Sequence, residues 1–195
     1  MANTSRFVVK PAWYDNSESP SEIEWKSDDK AQAEILRITG GYRSGAFVLG
    51  LAAISLTLAK LMQTERVTIL TPLSLENEDM LSRHNNHGVV PLVITIGNDW
   101  TLREFILAVK DAIEKSYSYQ NFPIDGIAQE YHSSSNVFLI MKGVHQFVSK
   151  KDHHDLLFDV DFNEVLNIRL SSEIFSSAFL NTCVNAISAF FENLD

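Results

Sequence analysis

Two adjacent histidines and a nearby aspartate are the residues of this chain best suited to chemistry. His153 and His154 are followed by Asp159 after four intervening residues. A neutral imidazole can accept a proton from an attacking nucleophile, and a carboxylate can orient that imidazole. With His154 as the base, the pattern would allow general acid–base catalysis. Residues 150–152 place two lysines and an aspartate directly before the histidines, so we favour a solvated surface loop.

A second pair of histidines has the spacing of a weak metal site. His84 and His87 lie three positions apart, near Glu78 and Asp79. These side chains would converge only if the segment were helical, and no second pair of ligands has close spacing. We interpret them as polar loop residues and predict no metal site.

An uncharged run follows a glycine-rich turn. Residues 40–45 lack the Lys-Ser/Thr ending of a phosphate-binding loop. We interpret them as a helix C-cap, a turn and a new N-cap at Ser44. Residues 44–59 then carry no charge between Arg43 and Lys60, a length below the about 20 residues that cross a bilayer. We therefore predict a helix buried on every side at the centre of the fold.

Composition and charge limit the class of protein. The chain has 195 residues, 45% of them apolar and 21% charged, which predicts one globular domain over residues 1–195. A net charge of -9 argues against a nucleic-acid binder, which needs a basic surface. Cys183 is the single cysteine, so no disulfide is expected. Residues 1–6 lack the features of a signal peptide, and we predict a cytoplasmic location.

A strand, a crossover helix and a polar loop are predicted in succession in the middle of the chain. The strand is the β-branched run at residues 89–96. Thr101 and Glu104 match a capping box at the start of a helix over residues 102–117, and Pro123 follows as a stop. The apolar stripe of this helix consists of Leu102, Phe105, Ile106, Val109, Ala112, Ile113 and Ser116.

Strand and helix patterns alternate along the rest of the chain. Strands are predicted at residues 6–10, 22–26, 66–72, 137–148 with a bend at Gly143, 156–162 and 165–170, and helices at residues 28–39, capped by Ser27 or Asp28, and 176–194. This order predicts an α/β fold in which a mixed β-sheet is flanked by helices.

The polar and aromatic loop after the central helix has two interpretations. In the structural one, Tyr119 and Phe122 anchor the loop in the core and Pro123 sets its turn. In the functional one, Gln120 and Asn121 offer their amide groups to a neighbouring lobe or to a substrate arm. We favour the structural interpretation, because aromatic residues beside a loop proline are usually anchors.

Several segments, in their order along the chain, resemble motifs of one family. Residues 90–94 (VPLVI) are similar to its "LPLRI" strand, and residues 119–125 (YQNFPID) to its "(H/N)QDYPFE" motif. Residues 133–138 (SSSNVF) are similar to "RDxSRNPLF". Residues 46–63 resemble its long buried helix, and residues 166–176 its "LRLEYDTDLFS" segment. The family is the condensation domains of nonribosomal peptide synthetases, of the chloramphenicol acetyltransferase-like superfamily, and the resemblance is to their C-terminal half.

The chain departs from this family at its charged positions. The arginine of "LPLRI" is replaced by Val93, and residues 133–138 lack both arginines of their motif. The family carries HHxxxDG in its N-terminal half, upstream of every segment matched here. The pair His153-His154 has one extra residue before Asp159, so this chain is not expected to carry the family's catalytic motif.

The resemblance implies half of a two-lobed domain. Such a lobe would supply one wall of the acyl or aminoacyl tunnel and would not be catalytic alone. A complete domain would form an amide between substrates held on the phosphopantetheine arms of carrier proteins, in antibiotic biosynthesis for example. No cofactor is expected to bind directly. The residues implied at the lobe interface or tunnel are Tyr119, Gln120, Asn121, Pro123, Ser135 and Asn136.

Three functional hypotheses remain open. The chain completes a bipartite enzyme by docking on a separate N-terminal lobe, or it is a degenerate lobe that serves as a carrier-protein docking or scaffold module. The third hypothesis is an acyltransferase that uses His154. A lobe without its partner would also expose an apolar face, so we predict self-association.

Overall fold

Most of the chain alternates between strands and helices around one mixed sheet. The computed structural model describes residues 21–74, 89–119, 136–145 and 154–194. In chain order its elements are β1 (Ser21–Lys26), α1 (Asp29–Thr39), α2 (Arg43–Met62), β2 (Arg66–Pro72), β3 (Val89–Thr95), α3 (Leu102–Ser118), β4 (Val137–Met141), β5 (Leu156–Phe162), β6 (Leu166–Ser172) and α4 (Ser177–Glu192). The strand predicted at residues 6–10 lies outside the described residues.

The described strands form one six-stranded sheet in the order β1-β6-β5-β4-β2-β3. Strands β2, β4 and β5 are parallel to one another, whereas β1, β3 and β6 each pair antiparallel with a neighbour. Pro91 lies in β3, at the edge of this sheet, where a missing backbone N–H is tolerated. The predicted α/β fold with a mixed sheet and flanking helices is confirmed.

The uncharged helix α2 is at the centre of the core. It contacts β2 and β5 on the sheet and all three other described helices. Leu51, Ile54 and Leu58 are fully buried. By length and composition α2 resembles a membrane span, but 67% of its most apolar window is buried inside the fold. The predicted buried core helix is therefore confirmed.

The ends of the helices match the sequence patterns except at the start of α2. Asp28 caps α1 by accepting the Ala31 N–H at 2.8 Å, and Gly40 ends α1 in the left-handed conformation at φ 61°. The predicted cap at Ser44 is wrong. The N-cap is Tyr42, which makes no side-chain cap hydrogen bond. A short turn after Gly40 lets the helix begin at Arg43, two residues earlier than a cap at Ser44 implies.

Helix α3 has the predicted cap and the predicted apolar face. Glu104 Oε2 accepts the Thr101 N–H at 2.8 Å, and Thr101 Oγ1 accepts the Glu104 N–H at 3.3 Å. Phe105, Val109 and Ile113 are buried. Because this face packs on β3 and α2, α3 covers the edge of the sheet that ends in β3.

Strand β4 is shorter than the sequence pattern predicted. It ends at Met141, and the N–H groups of Val144 and His145 both donate to the Met141 carbonyl at 3.2 and 3.0 Å. The turn passes through Gly143 at φ 80°, and a methyl group there would come within 2.9 Å of Arg43 Nη1. The predicted bend at Gly143 is present, but the prediction that one strand continues through it is wrong, because β4 ends at Met141 and a left-handed turn follows. Residues 146–148 lie outside the described chain.

The other face of the sheet divides into an apolar half and a charged half. Leu70, Val89, Phe138 and Leu157 form a second buried cluster, separate from the main core. On the β1 and β6 side, Arg169 forms ion pairs with Glu22 and Glu24 at 3.4 and 3.6 Å. These exposed pairs contribute little stability.

Candidate functional site

The most concentrated polar chemistry in the described structure is a buried cluster of three side chains. Tyr117 Oη lies 2.8 Å from His145 Nε2 and 2.9 Å from Thr71 Oγ1. His145 Nδ1 accepts the N–H of Met141 at 2.8 Å. Thr71 is fully buried and His145 is 5% exposed. We call Thr71, Tyr117 and His145 the polar cluster.

The topology of the sheet brings these residues together. Because β2 and β4 are parallel, their carboxyl ends meet at one edge of the sheet. Thr71 is near the end of β2, and His145 follows the end of β4. Strand β3 runs antiparallel to β2, and α3 returns from it, so Tyr117 in the last turn of α3 reaches the same edge. Open α/β sheets commonly place ligands at this edge.

The hydrogen bonds determine where the histidine proton lies. The Met141 N–H donates to Nδ1 of His145, so Nδ1 carries no proton and the neutral ring is protonated at Nε2. This Nε2–H then donates to Tyr117 Oη. The hydroxyl proton of Tyr117 is left for Thr71 Oγ1, or for the Pro72 carbonyl at 3.4 Å.

Burial keeps both titratable members of the cluster neutral. Desolvation lowers the pKa of His145 to about 3, because the charged imidazolium would lose its water. Phe47 packs edge-on against this ring with the centroids 4.9 Å apart, which adds an apolar wall. Desolvation also raises the pKa of Tyr117, against a smaller lowering by the Thr71 hydrogen bond. At neutral pH the cluster therefore holds hydrogen bonds and no charge.

Sequence reasoning did not identify this cluster. His145 lies within an apolar run that was interpreted as strand, and Tyr117 was read only as the end of a helix. One signal was present. Tyr117 follows the buried Ile113 by four positions, so it lies on the apolar face of α3, where its hydroxyl needs a partner.

The residues of the histidine motif lie before and within β5. His153 lies outside the described residues. His154 is half-buried, with its ring centroid 6.4 Å from that of Phe138. Asp159 is in the middle of β5, where it pairs with Ile140 and Arg169. β5 begins at Leu156, so three residues of extended strand, about 10 Å, carry the chain from its start to Asp159. His154 and Asp159 therefore do not share one compact loop.

The two described members of the implied lobe interface lie at opposite ends of the sheet. Tyr119 directly follows α3 and is 57% exposed. The interpretation of Tyr119 as an anchor in the core is therefore wrong, because the helix ends before its side chain can turn inward. Phe122 lies outside the described residues. Asn136 precedes β4, and its amide donates to the Asp155 carboxylate at 3.1 Å. Five residues of β4 separate Asn136 from the edge that holds the polar cluster. The other implied residues, which are Gln120, Asn121, Pro123 and Ser135, lie outside the described chain.

The described residues offer neither a metal centre nor a reactive thiol. No group of three or more His, Cys, Asp or Glu side chains with metal-binding geometry occurs among them. The histidines at 84 and 87 and the acidic residues at 78 and 79 fall outside the described ranges. Burial raises the pKa of the Cys183 thiol to about 12, so a nucleophilic thiolate is not available at neutral pH.

A groove on the helical side of the fold exposes apolar side chains. It lies between α1 and α3, has a volume of about 510 Å³, and is lined in part by Ile38, Ile106 and Leu107. Ile38 and Leu107 are both exposed. Arg37 and Arg103 stand among the lining residues, although Arg37 already forms an ion pair with Glu34 at 2.6 Å.

The comparisons with known proteins identify the fold. No protein-family model and no curated protein matches the chain. Among solved structures, the complex of the X-domain and OxyB from teicoplanin biosynthesis matches with a TM-score of 0.71 and 15% identity, over 98% of this chain and 50% of that chain. A four-domain nonribosomal peptide synthetase bound to AMP and glycine matches with a TM-score of 0.70 and 15% identity, over 98% of this chain and 18% of that chain.

A third structure agrees with these two. It is the cyclization-docking bidomain of a nonribosomal peptide synthetase from Sorangium cellulosum, with a TM-score of 0.65 and 14% identity, over 90% of this chain and 42% of that chain. The chain thus spans half or less of the length of these structures. The resemblance found in the sequence motifs is confirmed at the level of fold. This chain has the α/β fold of a condensation-type lobe, as found in the domains of nonribosomal peptide synthetases.

Proposed function

We propose that this chain is one lobe of a condensation-type domain in nonribosomal peptide biosynthesis. In this role it supplies one wall of the acyl or aminoacyl tunnel and a docking surface, and another lobe supplies the catalytic histidine. The proposal rests on how much of each chain the structural match covers. The match covers 98% of this chain but only 50% of the X-domain structure.

The chemistry of the described residues fits a structural role in one wall of the tunnel better than a role in catalysis. His145 and Tyr117 are buried, and their polar atoms bond to each other and to the ends of β2 and β4. His154 precedes β5, whereas Asp159 lies within it, three residues after its start. A general base must come within hydrogen-bond reach of the proton that it removes. Neither His145 with Tyr117 nor His154 with Asp159 is placed to do this for a substrate on the surface.

The second candidate is a docking or scaffold module. One solved structure with this fold is an X-domain in complex with a second protein, OxyB. The exposed apolar groove between α1 and α3, and the loss of the family's arginines from the sequence, favour a role in protein binding over one in catalysis. In either role the phosphopantetheine arm would belong to a carrier protein and would not be a resident cofactor.

A reconstitution experiment separates these functions. The chain is mixed with a separately expressed N-terminal condensation lobe and with carrier proteins loaded with donor and acceptor, and amide formation is measured. Product that forms only in the mixture supports the bipartite enzyme. Binding of a carrier without product supports the docking module. Product from this chain alone, lost in His154→Ala, would contradict both and establish the acyltransferase.

The same assay can test the implied interface with a matched pair of variants. Tyr119 is at the end of α3, and Trp100, which is 44% exposed, is at its start. If the sheet edge that holds the polar cluster faces the partner lobe, Tyr119→Ala should weaken the complex about ten-fold, the loss expected of an aromatic interface anchor. Trp100→Ala should leave the affinity unchanged. Equal effects of the two substitutions would exclude this edge as the interface.

A further inference from the structure

We propose that Thr71, Tyr117 and His145 act as a clamp that holds together the three points where the chain leaves this edge of the sheet. Each member of the polar cluster comes from a different element, and each is close to such a point. The proposal concerns how the fold joins the ends of β2, α3 and β4, and it does not depend on the proposed function.

The three members of the polar cluster lie close to the ends of β2, α3 and β4. Thr71 is one residue before the end of β2, and Tyr117 is one residue before the end of α3. His145 follows the end of β4 by four residues. Ser74 and His145 also form an isolated antiparallel β-bridge. One hydrogen-bonded cluster thus lies at the ends of β2, α3 and β4, which we call the three roots.

The second step is the way in which the cluster joins the elements. The imidazole of His145 accepts a backbone N–H of β4 on one side and donates to the hydroxyl of α3 on the other. That hydroxyl then contacts the side chain of Thr71 and the carbonyl of Pro72, both in β2. The bonds of Tyr117 join α3 to β2 and to the turn after β4, and the Met141–His145 bond closes that turn. Loss of any one member therefore leaves buried groups of its neighbours unpaired.

The third step is the end of β4. The N–H of Met141 donates to the histidine ring, although a strand would normally use such a group in its ladder. Without His145 this buried N–H would lack its partner. The cluster therefore holds the turn that carries the chain from β4 to His145, and through Tyr117 it ties this turn to the end of α3. Tyr119, the exposed residue implied at the lobe interface, is held in place by the same connection.

Hydrogen exchange measured by mass spectrometry tests the clamp. In Tyr117→Phe and in Thr71→Val we expect amide exchange to become about ten-fold faster at all three roots, within residues 70–74, 116–119 and 141–145, because local opening of one root should release the others. Exchange in β1 and β6, on the far side of the sheet, should not change. Thr71→Ser keeps the hydroxyl and should exchange as the natural protein does, as should Tyr42→Phe, which alters a tyrosine that is 73% exposed.

Faster exchange confined to the root that carries the substitution would overturn the clamp, as would loss of protection in Thr71→Ser. A second measurement needs no variant. The long-range ¹H–¹⁵N spectrum of the natural protein at neutral pH should show His145 neutral and protonated at Nε2. A ring protonated at Nδ1, or a charged ring, would contradict the hydrogen-bond chain on which the proposal rests.

Discussion

The neutral, buried imidazole of His145 makes the stability of this protein sensitive to acid. Burial lowers the pKa of His145 to about 3, whereas the unfolded chain titrates near the ordinary histidine value of about 6.5. The unfolded state therefore binds this proton first as the pH falls. The stabilisation from neutral His145 is complete above about pH 6.5 and is lost progressively as the pH falls towards 3.

This gives a prediction for the pH dependence of unfolding. Between pH 7 and pH 5.5 the free energy of unfolding should fall by about 1 kcal/mol through His145 alone. Denaturant titration at both pH values should show a fall about 1 kcal/mol larger in the natural protein than in His145→Gln. The carboxylates and the other five histidines are common to both proteins and cancel in the comparison. An identical pH dependence in the two proteins would show that His145 is not buried in neutral form.

Ser55 is a buried polar residue whose loss of hydration is not offset by a hydrogen bond within the described structure. It is fully buried in α2, and its hydroxyl has no hydrogen-bond partner among the described residues. Burial of an unpaired hydroxyl costs about 1–3 kcal/mol, and alanine is the better helix former. We expect Ser55→Ala to raise the free energy of unfolding by about 1 kcal/mol, measured by denaturant titration. A loss of stability would mean that the hydroxyl has a partner.

At the scale of elements, the capping box of α3 has a measurable contribution. Thr101 and Glu104 each satisfy the other's backbone N–H at the start of the helix. Thr101→Ala should lower the free energy of unfolding by about 1 kcal/mol. Thr101→Ser retains the hydroxyl and should lose only a small part of this. Equal losses for the two variants would mean that the side chain stabilises the helix by packing and not by capping.

Elements with a strong local signal could be predicted from the sequence. The charge-free run predicted α2, and the capping box with a 3.6-residue apolar period predicted α3. The prediction failed where tertiary structure decides the boundary. Gly143 indicated a bend, but apolar residues follow it at Val144, Phe147 and Val148. Nothing local shows that the strand ends at Met141 and that the turn packs against Arg43.

At the scale of the whole molecule, the polar cluster could not have been found by pattern. Thr71 and Tyr117 are 46 positions apart, and Tyr117 and His145 are 28 positions apart. Only the strand order of the sheet brings them to one edge, and strand order leaves no trace in local periodicity. The family motifs predicted the fold correctly because they preserve the order of the elements, which single residues do not.

Self-association remains a prediction at this scale. The exposed Ile38 and Leu107 beside the groove between α1 and α3 are the kind of apolar surface that drives association when no partner covers it. Light scattering over a range of protein concentrations should show dimers or larger species. Leu107→Glu, on the exposed face of α3, should shift the distribution towards monomer. A natural protein that stays monomeric at the highest concentration would contradict the prediction.

The central proposal is that this chain supplies one lobe of a two-lobed condensation-type domain and binds the other lobe. Isothermal titration of the chain with a separately expressed N-terminal condensation lobe tests it most directly. We predict a 1:1 complex with micromolar or tighter affinity, weakened by Tyr119→Ala and unaffected by Trp100→Ala. No detectable binding at high concentration, with both proteins folded, would contradict the claim.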